Sequence, residues 1–178
     1  MISSEVIRCT LSAGMLLFSL SASSATITIV NADGPNEGFN DQTPVAPVGG
    51  NSGTTLGEQR LNVFSYAAAV WAARIDSPIE IKVDAQFDPL SCTSLSAVLG
   101  SAGTTTVHRD FNGAPLSLTW YPQALANSFA GTDLSPQNSD LSATFNSQID
   151  NNSSCLIGIN WYLGLDGNNG NDIYLADV

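Results

Sequence analysis

IEIKVDAQF, residues 79–87, decides the fold class. Ile79, Ile81, Val83, Ala85 and Phe87 fall on one side of an extended chain, and Glu80, Lys82, Asp84 and Gln86 on the other. Period two with one apolar side is the pattern of a half-buried strand, and Asp88-Pro89 ends it. Just upstream the period changes. Thr55-Leu56-Gly57-Glu58 has capping-box spacing, in which the threonine hydroxyl and the glutamate reach each other's backbone N–H. Leu61, Phe64, Ala68, Trp71 and Ile75 then recur every three or four residues, so the spacing predicts a helix from about Leu56 to Arg74 that stops before Pro78.

On the N-terminal side, Ile27 and Ile29 alternate as a short strand, and residues 31–53 read as a loop rich in Gly, Pro, Asn and Asp. On the C-terminal side, residues 92–118 fit strand or loop equally. Pro122 opens a short helix, PQALANSFA, closed by Gly131. DLSATF, residues 140–145, alternates as a strand, and CLIGINWYL, residues 155–163, reads as a mostly buried one. Residues 166–170 form a turn, and Asn171 or Asp172 is placed to cap a helix beginning IYLADV. No internal repeat or linker interrupts the order. The expectation is an α+β, α/β-like domain: a twisted mixed sheet backed by a long helix.

Export is written at the N-terminus. Arg8 precedes an apolar run, Leu11 to Leu20, and Ser23-Ser24-Ala25 fits a small-residue cleavage site. Residues 1–25 therefore read as a signal peptide, with cleavage after Ala25 or, alternatively, Ala22. The run is too short and too rich in serine to anchor the chain in a membrane. Residues 26–178 make one domain, secreted to the periplasm or the medium. Cys9 leaves with the leader, and Cys92 and Cys155 remain. A lone pair in an exported protein reads as a disulfide; free or metal-bound thiols are the rival, unsupported by any CxxC or Cys/His cluster. Arg60, Arg74, Lys82 and Arg109 are the only basic residues left, against fifteen acids once Glu5 is removed. Such a surface repels phosphate backbones and excludes nucleic acid as partner.

The chemistry-bearing residues are few. His108 is the one histidine, which excludes a His-rich zinc site, and it reads as a hydrogen-bonded loop residue. No serine lies in GxSxG. Asp166, Asn168 and Asp172 form one candidate calcium loop, which departs from the EF-hand pattern at Gly170 and Asn171; Asp33, Glu37 and Asp41 form a second. Turn chemistry and helix capping are the plainer reading of both loops. Asn151 and Asn152 open N-x-Ser sequons.

GFND, VGGNSGTTLGEQRLN, FDPLSCTSL, WYPQALAN and WYLGLDGN occur in that order. Together they resemble the N-terminal part of a family of bacterial secreted proteins that combine a metzincin-like zinc metallopeptidase domain with a protease-associated domain. The resemblance implies that the segment after GLDGN continues into a helix carrying HExxH, so that this chain is cut before the active-site helix is complete. It implies zinc for a full-length member and a polypeptide substrate, with no cofactor bound by this chain alone, because HExxH is absent here. It further implies that Leu61 to Ile75 is a backing helix, Ile79 to Phe87 an inner strand, and Leu141, Ala143 and Phe145 the edge strand over the substrate cleft. The alternative function is a non-catalytic secreted binding or surface module on the same scaffold.

Overall fold

The computed structural model of the chain describes residues 24–150 and 153–178. Residues 1–23, most of the expected signal peptide 1–25, and the two sequon asparagines lie outside them. In chain order the strands are β1 (Ile27–Asn31), β2 (Ile81–Asp88), β3 (Gly100–Thr104), β4 (Val107–His108), β5 (Tyr121–Pro122), β6 (Leu141–Asn146), β7 (Trp161–Tyr162) and β8 (Ile173–Tyr174). The helices are α1 (Leu56–Ala72) and α2 (Gln123–Ala130), with 3₁₀ turns at Gly38–Asn40 and Leu175–Asp177. The main sheet runs β1-β2-β6-β3. β1, β2 and β6 are parallel, and β3 is antiparallel to β6. Two small pairs, β4 with β5 and β7 with β8, complete an α+β arrangement.

Local chemistry sets α1. Glu58 N–H donates to Thr55 Oγ1, and Glu58 Oε2 accepts from the N–H groups of Thr54 and Thr55, so the capping box closes. Gly57 is required at the first turn, because a Cβ there would stand 2.4 Å from the Phe39 carbonyl oxygen. The helix therefore seats against the 38–41 turn. Its buried residues are Gly57, Gln59, Arg60, Val63 and Phe64. This corrects the stripe expected from spacing: only Phe64 of that stripe is buried, and Leu61 and Trp71 are exposed. The N-terminal half of the helix is clamped between the 38–41 turn and the sheet, while the outer half borders open space.

The core is an aromatic cluster. The rings of Phe39 and Phe64 meet edge-on at 4.8 Å, those of Phe64 and Phe145 at 4.8 Å, and those of Phe39 and Phe87 at 5.5 Å. Ile149, Trp161, Leu163 and Leu175 extend the cluster. Arg60 crosses it, 4% exposed, 3.0 Å from Asp150 and 3.8 Å from Asp41. Its Nη1 donates to the Gly38 carbonyl, and its guanidinium lies 4.5 Å from the centre of the Phe87 ring.

Three further expectations are corrected. Leu141–Asn146 is not an edge strand: it is paired on both sides, to β2 and to β3. Residues 155–163 form a strand only at Trp161–Tyr162, because Leu156 and Gly158 take positive φ and turn the chain. IYLADV is not the opening of an α-helix. Ile173 and Tyr174 pair with β7, and one 3₁₀ turn follows, with Leu175 buried.

Cys92 and Cys155 are joined, with Cα atoms 5.3 Å apart. The bond ties the loop after β2 to the segment before β7, where Leu156 and Ile157 N–H donate to the carbonyls of Thr93 and Ser94. Closing 63 residues of sequence restricts the unfolded chain by about 4 kcal/mol in the loop-entropy model. Replacing both cysteines by alanine is expected to lower unfolding free energy by about 2–4 kcal/mol, and a non-reduced digest should yield the cross-linked peptides. Arg60→Met, which leaves Asp150 without its cation, is expected to cost about 3 kcal/mol, read as a lower urea midpoint with an unchanged slope.

Candidate functional site

On the α1 side of the sheet the apolar side chains of β1, β2 and β6 are only partly covered. They form the floor of a trough of about 430 Å³ whose wall is Phe64, Ala67, Ala68 and Trp71 of α1. Leu141, Ala143 and Phe145, expected on an edge strand over a substrate cleft, line this trough from an inner strand. The lining holds no acid, base, histidine or cysteine, so it can bury apolar groups but cannot move protons. Beyond Phe145 a second cavity of about 220 Å³ lies between Leu99, Gly100, Ser101, Ala102 and Val178.

That cavity borders β3, the edge the sequence did not reveal. Asn146 N–H donates to Leu99 O, and Thr105 N–H to Asp140 O. In an antiparallel ladder with this register, odd-numbered residues bond to β6, and Gly100, Ala102 and Thr104 turn their N–H and C=O outward. No strand among the described residues pairs with that outer side. GSAGT lacks the apolar alternation by which strands are recognised; Thr104-Thr105-Thr106-Val107 was the one β-prone signal nearby.

Buried polar residues hold this edge and its neighbours in place. Asn146 Nδ2 donates to Val98 O at 2.9 Å, and its Oδ1 accepts from Gln148 N–H. Trp161 Nε1 donates to the Asn146 carbonyl. Asp140 accepts from the Lys82 N–H and from Asn127 Nδ2, both at 2.8 Å. Gln123, fully buried, accepts from Thr105 and Thr106. His108 Nε2 lies 3.2 Å from Thr106 Oγ1 and 3.3 Å from Ser135 Oγ; its bonded neighbours are hydroxyls.

The candidate calcium ligands are used for backbone bracing. Asp33 accepts from the N–H groups of Phe87 and Phe39, Glu37 from Gly34, and Asp41 from Thr43. Asp172 accepts from Asn160 N–H. Asp166 accepts from the Tyr162 hydroxyl at 2.6 Å and from both Asn168 donors. Among the described residues no three His, Cys, Asp or Glu side chains gather as a metal site. The zinc implied by the resemblance does not fit residues of this chain: its one histidine stands among hydroxyls, and Cys92 and Cys155 are bonded to each other.

No family model, curated protein or solved structure matches the chain.

The Asp166 contacts have a pH signature. The Tyr162 hydroxyl first, then the Asn168 amide groups, hold Asp166 at a pKa of about 2, and the same bond raises Tyr162 above its usual value. A depressed carboxylate contributes stability above its unfolded pKa, near 4, that is lost as pH falls through 2. Tyr162→Phe is expected to move the Asp166 carboxyl titration, followed by carbon-detected NMR, back toward the ordinary range, and to flatten the decline of the unfolding midpoint between pH 4 and 2.

Proposed function

We propose that this chain is the scaffold of a polypeptide-binding cleft in an exported, metzincin-like zinc peptidase, and that alone it does not hydrolyse peptides. The observation that carries the reading is β3: a short antiparallel edge strand whose Gly100, Ala102 and Thr104 backbone groups face outward. An extended polypeptide adds to such an edge as one more strand, its main chain giving affinity and its alternate side chains specificity. The cavity beside Gly100–Ala102 and Phe145 is a pocket for one of those side chains. Ser101 to Thr104 are exposed, so an incoming chain meets no steric barrier.

The motifs that resemble those of the metallopeptidase family support the assignment, and the mixed sheet is compatible with it. The groups that would hold zinc and take the proton of the attacking water belong to HExxH, which is not among these residues. Export is supported by the leader pattern and by the Cys92–Cys155 bond. Ala25 is buried and its N–H donates to Ile75 O, while Ser24 Oγ donates to Ala72 O. Cleavage after Ala22 keeps these contacts and cleavage after Ala25 removes them, which supports the former. No helix among the described residues is long and apolar enough to cross a membrane.

A second reading, a non-catalytic secreted binding module, is favoured by one observation: the aromatic core closes around Leu175 and the disulfide without any catalytic group. Zinc separates the two readings. Cooperative unfolding of this chain, indifferent to zinc and unimproved by adding an HExxH-bearing continuation, selects the module.

The scaffold reading makes a double expectation. The purified chain leaves casein intact and carries no stoichiometric zinc, yet binds fluorescently labelled casein-derived peptides in anisotropy titrations. Ala102→Pro, which removes an outward N–H that the ladder with β6 does not use, weakens that binding by about tenfold. Casein hydrolysis by the chain with bound zinc would overturn the scaffold assignment. Equal peptide affinity in Ala102→Pro would remove the edge strand from it.

A further inference from the structure

The connection between β4 and β5 presents three exposed large apolar side chains within five residues. In a chain of formal net charge −11, residues 111–132 contain no Asp, Glu, Lys, Arg or His. Within that stretch Leu116, Leu118 and Trp120 occupy alternate positions and are 64%, 75% and 58% exposed. Large apolar side chains scattered singly on a surface are ordinary; three presented by one short segment are not. Leu118 has φ 57°, a left-handed conformation that is unfavourable for leucine and tends to persist at functional positions. Its N–H donates to Asp110 Oδ1 at 2.7 Å, so a side-chain contact keeps the backbone in the conformation that turns the leucine outward.

The base of the segment is rigid. Leu116 N–H donates to the Tyr121 hydroxyl at 3.0 Å. The buried Tyr121 ring meets Phe111 and Phe129 edge-on at 5.6 and 5.8 Å. Arg109 lies over the Trp120 ring at 5.0 Å, and its charge is offset by Asp110 at 3.4 Å. Aliphatic tips are thus presented on a preorganised projection whose one flanking cation and anion are paired with each other, on an otherwise acidic protein.

We propose that this segment inserts Leu116, Leu118 and Trp120 into the interfacial layer of a zwitterionic lipid surface. Leucine tips flanked by a charge-free stretch offer a protein partner no charge pattern to fix register, whereas a lipid boundary requires none. Trp120, apolar across its ring with an N–H at its edge and a guanidinium stacked on it, suits the headgroup depth. The acidic surface opposes anionic lipid, which leaves neutral headgroups as the partner. The contact is interfacial and goes beyond the peptide cleft.

The experiment is co-sedimentation of the full chain with phosphatidylcholine vesicles, with tryptophan emission read in parallel. Residues 1–23 carry an apolar run of their own, so the readout is the difference between variants. Leu116→Ser/Leu118→Asn/Trp120→Ser is expected to lower the partition coefficient by about tenfold or more, with circular dichroism and unfolding midpoint unchanged. Leu118→Gly, which accepts the positive φ, should also weaken partitioning without loss of stability, so a folding defect cannot mimic the result. The blue shift on vesicle binding should vanish in Trp120→Phe. Equal partitioning of all variants, a wild-type chain left in the supernatant, binding that needs anionic phosphatidylglycerol, or a triple variant that changes only self-association would each overturn the proposal.

Discussion

Arg60 is the tie on which the described structure depends. One guanidinium joins α1 to Asp150, to Asp41 and to the carbonyl of Gly38, and lies on the face of Phe87. Asp150 in turn accepts from Trp161 N–H, so the chain of contacts runs from the first loop through the helix to the C-terminal segment. A cation this deeply placed is tolerated only with its partners present. Here most of the fork is satisfied, and only Nε lacks a partner. The guanidinium thereby decides how close α1 comes to the sheet at its N-terminal half. Further along α1, Ala67 and Ala68 are too small to fill the space above the sheet, and the trough stays open.

The sheet follows from that placement. β2 is flanked by parallel β1 and β6, and Asp140 fixes the register by accepting from the Lys82 N–H of β2 while being held by Asn127 of α2. Apolar side chains of β2 reach the core beneath α1, whereas its polar side chains form the wetter face, as at Gln86 and Asp88. With β6 locked on both sides, the only backbone left for a further strand on that side is β3. The position of the edge is thus a consequence of buried polar ties several residues away from it.

Strong periodicity was legible. The Thr55–Glu58 cap and the Gly131 stop after α2 appear where spacing placed them, Gly131 taking φ 66°, and the strand expected over residues 79–87 forms at Ile81–Asp88. Faces and neighbours were less legible. Spacing identified α1 but chose Leu61 and Trp71 as its buried side, because a polar Gln59 and a charged Arg60 carry no apolar signal even when buried. Alternation identified Leu141–Asn146 but could not say whether one neighbour or two would pair with it. β3 escaped because Gly, Ser and Ala have no preferred face, and residues 173–178 were misread because a two-residue strand and a single 3₁₀ turn resemble a helical start in composition.

The motifs that carry the family resemblance turn out to be framework rather than chemistry. Phe39 of GFND enters the aromatic core, and Asn51 of VGGN bonds to the carbonyls of Gln59 and Leu163. Gln59 and Arg60 of QRLN, Gln123 and Asn127 of WYPQALAN, and Trp161 and Leu163 of WYLGLDGN are all buried. A buried amide with specific backbone partners tolerates little replacement, since any apolar substitute orphans the groups it held. Such residues can keep a scaffold recognisable independently of what is done on it. They also explain how an edge as plain as GSAGT stays usable. An exposed edge strand invites a second copy of the same protein, and here the deterrents are its five-residue length and an acidic surface that repels its like. On the proposed reading, a polypeptide without that charge would meet no such opposition, so the same electrostatics that protect the edge would select what pairs with it.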